Sequence, residues 1–261
     1  MKKFIFLFVF VFLSTSVYAA QDLPGIIQKI ENRRGHWTSL HGFLRMNFST
    51  PQGKNADCRA ELYYNRLEEQ ILLKGFRENR ELVFIFQTDD KYFRLYLPKQ
   101  KTEFQGTIFD LEDSPEIHSH LKALDLYRAL KPWLVREENT ALEKNVRGLT
   151  LLKIGPQRQV WVNVQGDVLK EEYGAEGKTK TIIERSDFKK INQDGKEKFY
   201  YPFNILIKNT VEAGSKQTEL AFESVEFDAE ENSKFSEFKV PEGTQTYDVS
   251  QAFKKQRALA G

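Results

Sequence analysis

Cysteine is almost missing from this chain: Cys58 is the only one in 261 residues. No intramolecular disulfide can form, and no Cys-x-x-Cys pair exists for metal or redox work. An excess of one charge is missing too. The 39 basic and 37 acidic residues leave +2, and setting aside Lys2 and Lys3 of the leader brings both counts to 37. A balanced chain excludes bulk binding to nucleic acid or to an anionic membrane, since both need a basic surplus. Histidine is scarce, with His36, His41, His118 and His120. No His-Glu-x-x-His motif or acidic cluster accompanies them, so they read as solvated surface residues. There is no Gly-x-Ser-x-Gly for a nucleophile. The stretch Gly174-Ala-Glu-Gly177-Lys lacks the length and the Ser or Thr of a phosphate loop. Glu68-Glu69 and Asp89-Asp90 fall at turns, where solvation explains them. Cys58 keeps phase with Ala56, Ala60 and Leu62 and reads as a small buried hydrophobe. No enzyme, metal or cofactor is expected.

Long apolar runs are also lacking, except at the start. Lys2 and Lys3 precede ten apolar residues, Phe4 to Leu13, and Val17-Tyr18-Ala19 gives a cleavage site after Ala19. Ten residues of helix span about 15 Å, roughly half a bilayer core. A cleavable secretory leader over 1–19 is therefore expected, with a single domain over 20–261. No cysteine follows the apolar run to be lipidated. The short Lys-Lys leader points to the periplasm.

Asp22 and Pro24 make a helix start, Leu23, Ile26, Ile27 and Ile30 share a face, and Gly35 is a stop. Then the period changes to two. Stretches such as Gly42–Thr50, Ala56–Asn65, Gln70–Phe76, Glu81–Gln87 and Lys91–Leu97 alternate and are separated by short turns, which forces antiparallel neighbours. A second block of alternating stretches runs from Arg147 to Phe227. Residues 112–145 differ: they are charged, and Ile117, Leu121 and Leu124 fall at helical steps. This predicts a helical segment over about 112–145: a helix from about Pro115 to Leu130, stopped by Pro132, with a second short helical or irregular piece after it. The fold class is mainly β (α+β). One antiparallel sheet of about ten strands is expected, and a sheet of that size curls or closes.

Several strands carry apolar residues on both parities. Leu82, Phe84 and Phe86 alternate with Val83 and Ile85. Two explanations fit the alternation: a barrel interior filled by side chains, or an apolar cavity between a curved sheet and its helices.

Five stretches together resemble the bacterial lipoprotein carriers of the LolA type. Ala60–Gly75 (AELYYNRLEEQILLKG) is similar to that family's strand-turn-strand with a basic turn. Gln87–Phe104 resembles its next hairpin, and Ser233–Val249 its closing Lys-Phe-x-Phe…Pro-x-Gly segment. Ile182–Ile191 and Phe199–Lys208 are similar to its Ser-Asp-Phe and Tyr-Pro strands. Leu67 stands where the family usually has proline, and Asp90 where it usually has glycine. The resemblance implies a strongly curved antiparallel sheet, or incomplete barrel, with N-terminal and mid-chain helices as a lid. It implies a monomeric carrier of the acyl chains of a lipoprotein or lipid, with an inner-membrane donor and an outer-membrane acceptor. Cavity-lining residues would be Leu44, Met46, Phe48, Leu62, Tyr64, Phe84, Phe86, Phe93, Leu95 and Trp161. Arg66 aligns with an arginine that controls the lid. A lipid- or lipoprotein-sensing regulatory protein, and a lipid-binding partner of a dedicated exporter, are the alternatives within the same fold.

Overall fold

The computed structural model describes residues 22–251 other than 50–54, 90, 114–115, 119–120, 132–134, 136, 147, 175–179, 193–198, 212–213 and 229–237. The expected leader and His120 lie outside the described residues.

Helix α1 spans Leu23–Arg34. The Asp22 side chain accepts a hydrogen bond from the Gly25 N–H at 3.0 Å, and Pro24 sits in the first turn. Gly35 ends the helix at φ 71°, donating its N–H to the Glu31 carbonyl. A Cβ there would fall 2.5 Å from that of Phe199, so glycine is required by both backbone and space.

The first block of strands is β1 (Ser39–Ser49), β2 (Asn55–Asn65), β3 (Gln70–Phe76), β4 (Leu82–Thr88), β5 (Tyr92–Leu97) and β6 (Thr102–Thr107). A connection follows with a small hairpin, β7 (Glu116–His118) and β8 (Leu121–Lys122), and helix α2 (Ala123–Leu130). The second block is β9 (Thr140–Val146), β10 (Leu149–Ile154), β11 (Arg158–Val162), β12 (Val168–Tyr173), β13 (Lys180–Ile191), β14 (Phe199–Val211) and β15 (Gly214–Phe227). Strand β16 (Gln245–Asp248) comes last.

Fourteen of these strands form one sheet in the order β16-β6-β5-β4-β3-β2-β1-β15-β14-β13-β12-β11-β10-β9. It is curved and does not close. Each block is a meander, and the two join where β1 pairs antiparallel with β15. Only β16 on β6 is parallel.

Fourteen strands exceed the ten or so expected. Strand β9 lies in the segment read as helical, and β16 gains its partner from a strand some 140 residues earlier. The helix expected from Pro115 begins instead at Ala123, because Glu116 pairs with Lys122 in the β7–β8 hairpin. It ends where expected: Lys131, ahead of Pro132, is already extended at ψ 128°.

The topology dictates where the lid lies. The chain leaves the first block at β6, near one edge, and re-enters at β9, the other edge. The connection must therefore cross one face of the sheet, and α2 rides on it. That face is called inner below. On the other face, Phe238 and Val240 pack on Tyr63, Leu72, Ile85 and Tyr96 ahead of β16, which pairs with β6.

Candidate functional site

Directly paired residues on neighbouring strands share a face, so the register traces the inner face residue by residue. One row runs Leu152, Val160, Glu171, Ile183, Ile207, Thr218, Phe48, Ala56. A second runs Arg185, Ile205, Leu220, Met46, Cys58. A third runs Leu62, Leu73, Phe86, Leu95, Phe104. The apolar members of these rows from Ile183 to Phe48, from Ile205 to Cys58 and from Leu62 to Leu95 belong, with Leu44, Tyr64, Phe84 and Phe93, to the largest buried apolar cluster, and Leu152 and Val160 belong to a second one. Burial pushes the Cys58 thiol up to about 12, with the Asp57 charge adding to it, so this cysteine stays protonated at neutral pH.

Nine of the ten residues named from the sequence as cavity lining sit in this cluster: Leu44, Met46, Phe48, Leu62, Tyr64, Phe84, Phe86, Phe93 and Leu95. Trp161 does not. Its register partner is Lys170, followed across the sheet by Glu184, Leu206, Glu219, Asn47 and Asp57. That row is the outer face, and the Lys170 ammonium stands 4.6 Å from the Trp161 ring. The inner parity on β11 belongs to Val160 and Val162, which pack with Ile26 and Ile30 of α1. A one-residue phase difference separates the two assignments.

Helix α2 seats on the inner face by Ala123, Leu126, Ala129 and Leu130, all buried in the main cluster. Polar ties hold it at two places. Asp125, 2% exposed, accepts hydrogen bonds from the Thr181 hydroxyl and the Asn209 amide, both at 2.9 Å. The same Thr181 hydroxyl, with one proton to share, also lies 2.9 Å from the Asn209 amide oxygen, so β13, β14 and α2 share one network. At the helix end, Lys131 pairs with Glu69 in the β2–β3 turn at 2.5 Å and donates to the Tyr127 hydroxyl at 2.9 Å. Burial works against the Lys131 charge, but these two partners outweigh it and raise its pKa. The helix thus spans the face from the β2–β3 turn to β13 and β14.

Arg66 does not reach α2. It donates to the carbonyls of Gly35 at 2.7 Å and Trp37 at 3.3 Å, with its guanidinium 5.3 Å from the Trp37 ring. It fastens the end of α1 to the β2–β3 turn, and the tie to α2 comes from Glu69, three residues later. Trp37 is the aromatic hub of this corner, edge-on to Tyr64 at 5.6 Å, Tyr201 at 6.3 Å and Phe227 at 5.3 Å. Nothing in its local sequence, His-Trp-Thr, signalled that role.

Charges also lie under this surface. Glu171 pairs with Arg185 at 2.7 Å and Arg158 at 2.6 Å, and accepts from the Tyr173 hydroxyl at 2.7 Å. Burial opposes the Glu171 charge, yet the guanidiniums of Arg185 and Arg158 outweigh it and hold the carboxyl below its ordinary range.

Among the described residues, the inner face beneath α2 is closely packed. A cleft of about 20 Å³ remains between Arg34, Trp37, Arg185, Tyr201, Ile205 and the α2 residues Ala129 and Leu130, room for about one water. Two larger grooves, of about 440 and 520 Å³, are lined by polar residues of the outer row, including Asn47, Asp57, Glu184 and Glu219. Among the described residues, no group of three or more His, Cys, Asp or Glu could hold a metal ion. No helix there is long and apolar enough to cross a membrane.

No protein-family model and no curated protein matches the chain. Solved structures do. An outer-membrane lipoprotein-sorting protein domain from Vibrio parahaemolyticus aligns over 81% of this chain and 94% of its own, at TM-score 0.59 and 16% identity. A LolA superfamily protein from Nitrosomonas europaea aligns over 80% and 95%, at TM-score 0.53 and 11% identity. A DUF1329 family protein from Desulfovibrio piger aligns over 78% and 90%, at TM-score 0.57 and 13% identity. The open curved sheet with helices laid across one face is the LolA-like fold.

Proposed function

We propose that this protein is a periplasmic carrier that shelters the acyl chains of a lipid or lipoprotein on the inner face, beneath α2. It works between an inner-membrane donor and an outer-membrane acceptor, without catalysis of its own. The observation that supports this best is how α2 is held. Among the described residues it is the one α-helix that packs into the largest apolar cluster, and it buries few large side chains.

Magnitudes favour exchange of helix for cargo. Leu126 and Leu130 stabilise closure by about 3–6 kcal/mol together, at about 1.5–3 per buried leucine, and the Asp125 hydrogen bonds add about 2–4. A sixteen-carbon chain gains about 12 kcal/mol from shelter, at about 0.8 per CH₂. Cargo can therefore displace the helix and fill the space it leaves. Passage to an acceptor offering similar shelter is then near neutral, so no nucleotide is required. The LolA-like fold and the lipoprotein-sorting name of one structural neighbour agree with this reading.

The test is mass spectrometry of lipids extracted from protein purified out of the periplasm, with uptake of a fluorescent fatty acid measured alongside. Bound acyl species at fixed stoichiometry are expected. A protein that emerges without lipid and takes up no fluorescent fatty acid would refute the carrier.

A further inference from the structure

The inner face is mostly apolar, and two arginines meet at one corner of it. Arg185 stands in the row Arg185, Ile205, Leu220, Met46, Cys58, with its side chain fully buried and paired to Glu171. Arg34, in the last turn of α1, lines the same cleft. The Arg34 Nε is buried with no hydrogen-bond partner among the described residues. A buried donor left unpaired is costly, and a native structure that keeps one invites a reason. The carboxylate whose charge reaches Arg34 is Glu31, one turn earlier on the same helix. It does not offset burial, which lowers the Arg34 pKa. Arg66 stands near enough to feel the Arg34 charge. Trp37 and Tyr201 wall the cleft, and Ala129 and Leu130 of α2 roof it.

We infer that this corner is a head-group site: it takes the anionic group, a carboxylate in the simplest case, of an amphiphile whose acyl chain lies along the inner face. The inference rests on the carrier reading and gives its cargo a charge. Guanidinium presents a planar fork that matches a carboxylate. The cleft holds about one water while α2 is seated, and its roof is the lid itself. Displacing α2 admits the chain and opens the head-group corner in one movement. The anion then supplies the acceptor that Arg34 Nε lacks. A neutral hydroxyl can accept from that donor, but it brings no charge to answer the guanidinium and makes the weaker bond.

Binding of a sixteen-carbon carboxylate and of the alcohol of equal length, by the full mature chain, separates this inference from the carrier itself. The wild type should prefer the carboxylate at least tenfold, equivalent to about 1.4 kcal/mol. Arg34→Gln should bring the ratio close to one, whereas Arg77→Gln, on an exposed strand end, should keep it. If Arg34→Gln loses both ligands, Arg34→Lys decides, and it must retain a preference for the carboxylate. Equal wild-type affinity for the two ligands would overturn the head-group site and leave the carrier standing. Failure to bind either would overturn both. Acetate at millimolar concentration should not displace the carboxylate; if it does, the corner serves small free anions and the assignment to an amphiphile falls.

Discussion

Replacing Asp125 by alanine should loosen α2 without loosening the sheet. Its carboxylate accepts two hydrogen bonds, from Thr181 and Asn209, at 2.9 Å each and away from water. Bonds to a charged group contribute about 1.5–3 kcal/mol apiece. The alanine variant loses both. Thr181 and Asn209 can still bond each other, so part of the loss is recovered and about 2–4 kcal/mol remains. At about 1.4 kcal/mol per factor of ten, the open lid should become at least about thirtyfold more populated. Amide hydrogen exchange reads this directly. The amides of Ala123–Leu130 should exchange faster by that factor, while those of β1, β2 and β14 keep their rates. Lys131→Ala provides the comparison. Its pair with Glu69 is a quarter to a third exposed, and such pairs contribute about 1 kcal/mol or less. It should release the helix by less than tenfold. Unchanged exchange in α2 of Asp125→Ala would refute the reasoning. So would equal acceleration throughout the sheet, or a larger effect from Lys131→Ala.

Two further predictions concern the faces of the sheet. Glu171 has a folded-state pKa held below its unfolded value by Arg185 and Arg158, against burial. Its contribution is therefore present above about pH 4.3, the ordinary glutamate value, and is lost as pH falls through the depressed folded value. Glu171→Gln should cost about 3–5 kcal/mol at neutral pH by leaving two buried guanidiniums without their carboxylate, and its acid-denaturation profile should be flatter than the wild type's below about pH 4.3; a parallel profile in urea titrations would contradict the pairing. Trp161→Ala removes a ring from the outer row, so fatty-acid uptake should stay within twofold of wild type, and a large loss would place that side chain on the binding face after all.

Much of this arrangement was legible from residue patterns. The alternation in Ala56–Tyr64 or Phe84–Phe86 gives the side-chain parity directly, because a strand repeats every two residues. Nine inner-face residues could be named on that basis. Trp161 could not be placed the same way, because Val160 and Val162 are as apolar as it is and the local pattern has no phase. Arg66 could be found as a turn arginine, but its partners Gly35 and Trp37 lie some thirty residues away. Asp125 looked like any helix carboxylate. Its network exists only because β13 and β14 bring Thr181 and Asn209 beneath it.

By itself, then, the sequence determined the strands of period two, the capped first helix and the absence of catalytic motifs, since each follows from local stereochemistry and residue type. The tertiary structure decided the rest. It set fourteen strands in place of about ten, by pairing β9 and the distant β6 and β16. It shortened α2 to Ala123–Leu130, by giving the preceding residues a hairpin. It chose which face the helices cover, because a connection from one sheet edge to the other must cross a face. It also brought Arg34 and Arg185, far apart in the sequence, to one cleft, a proximity that no local spacing encodes.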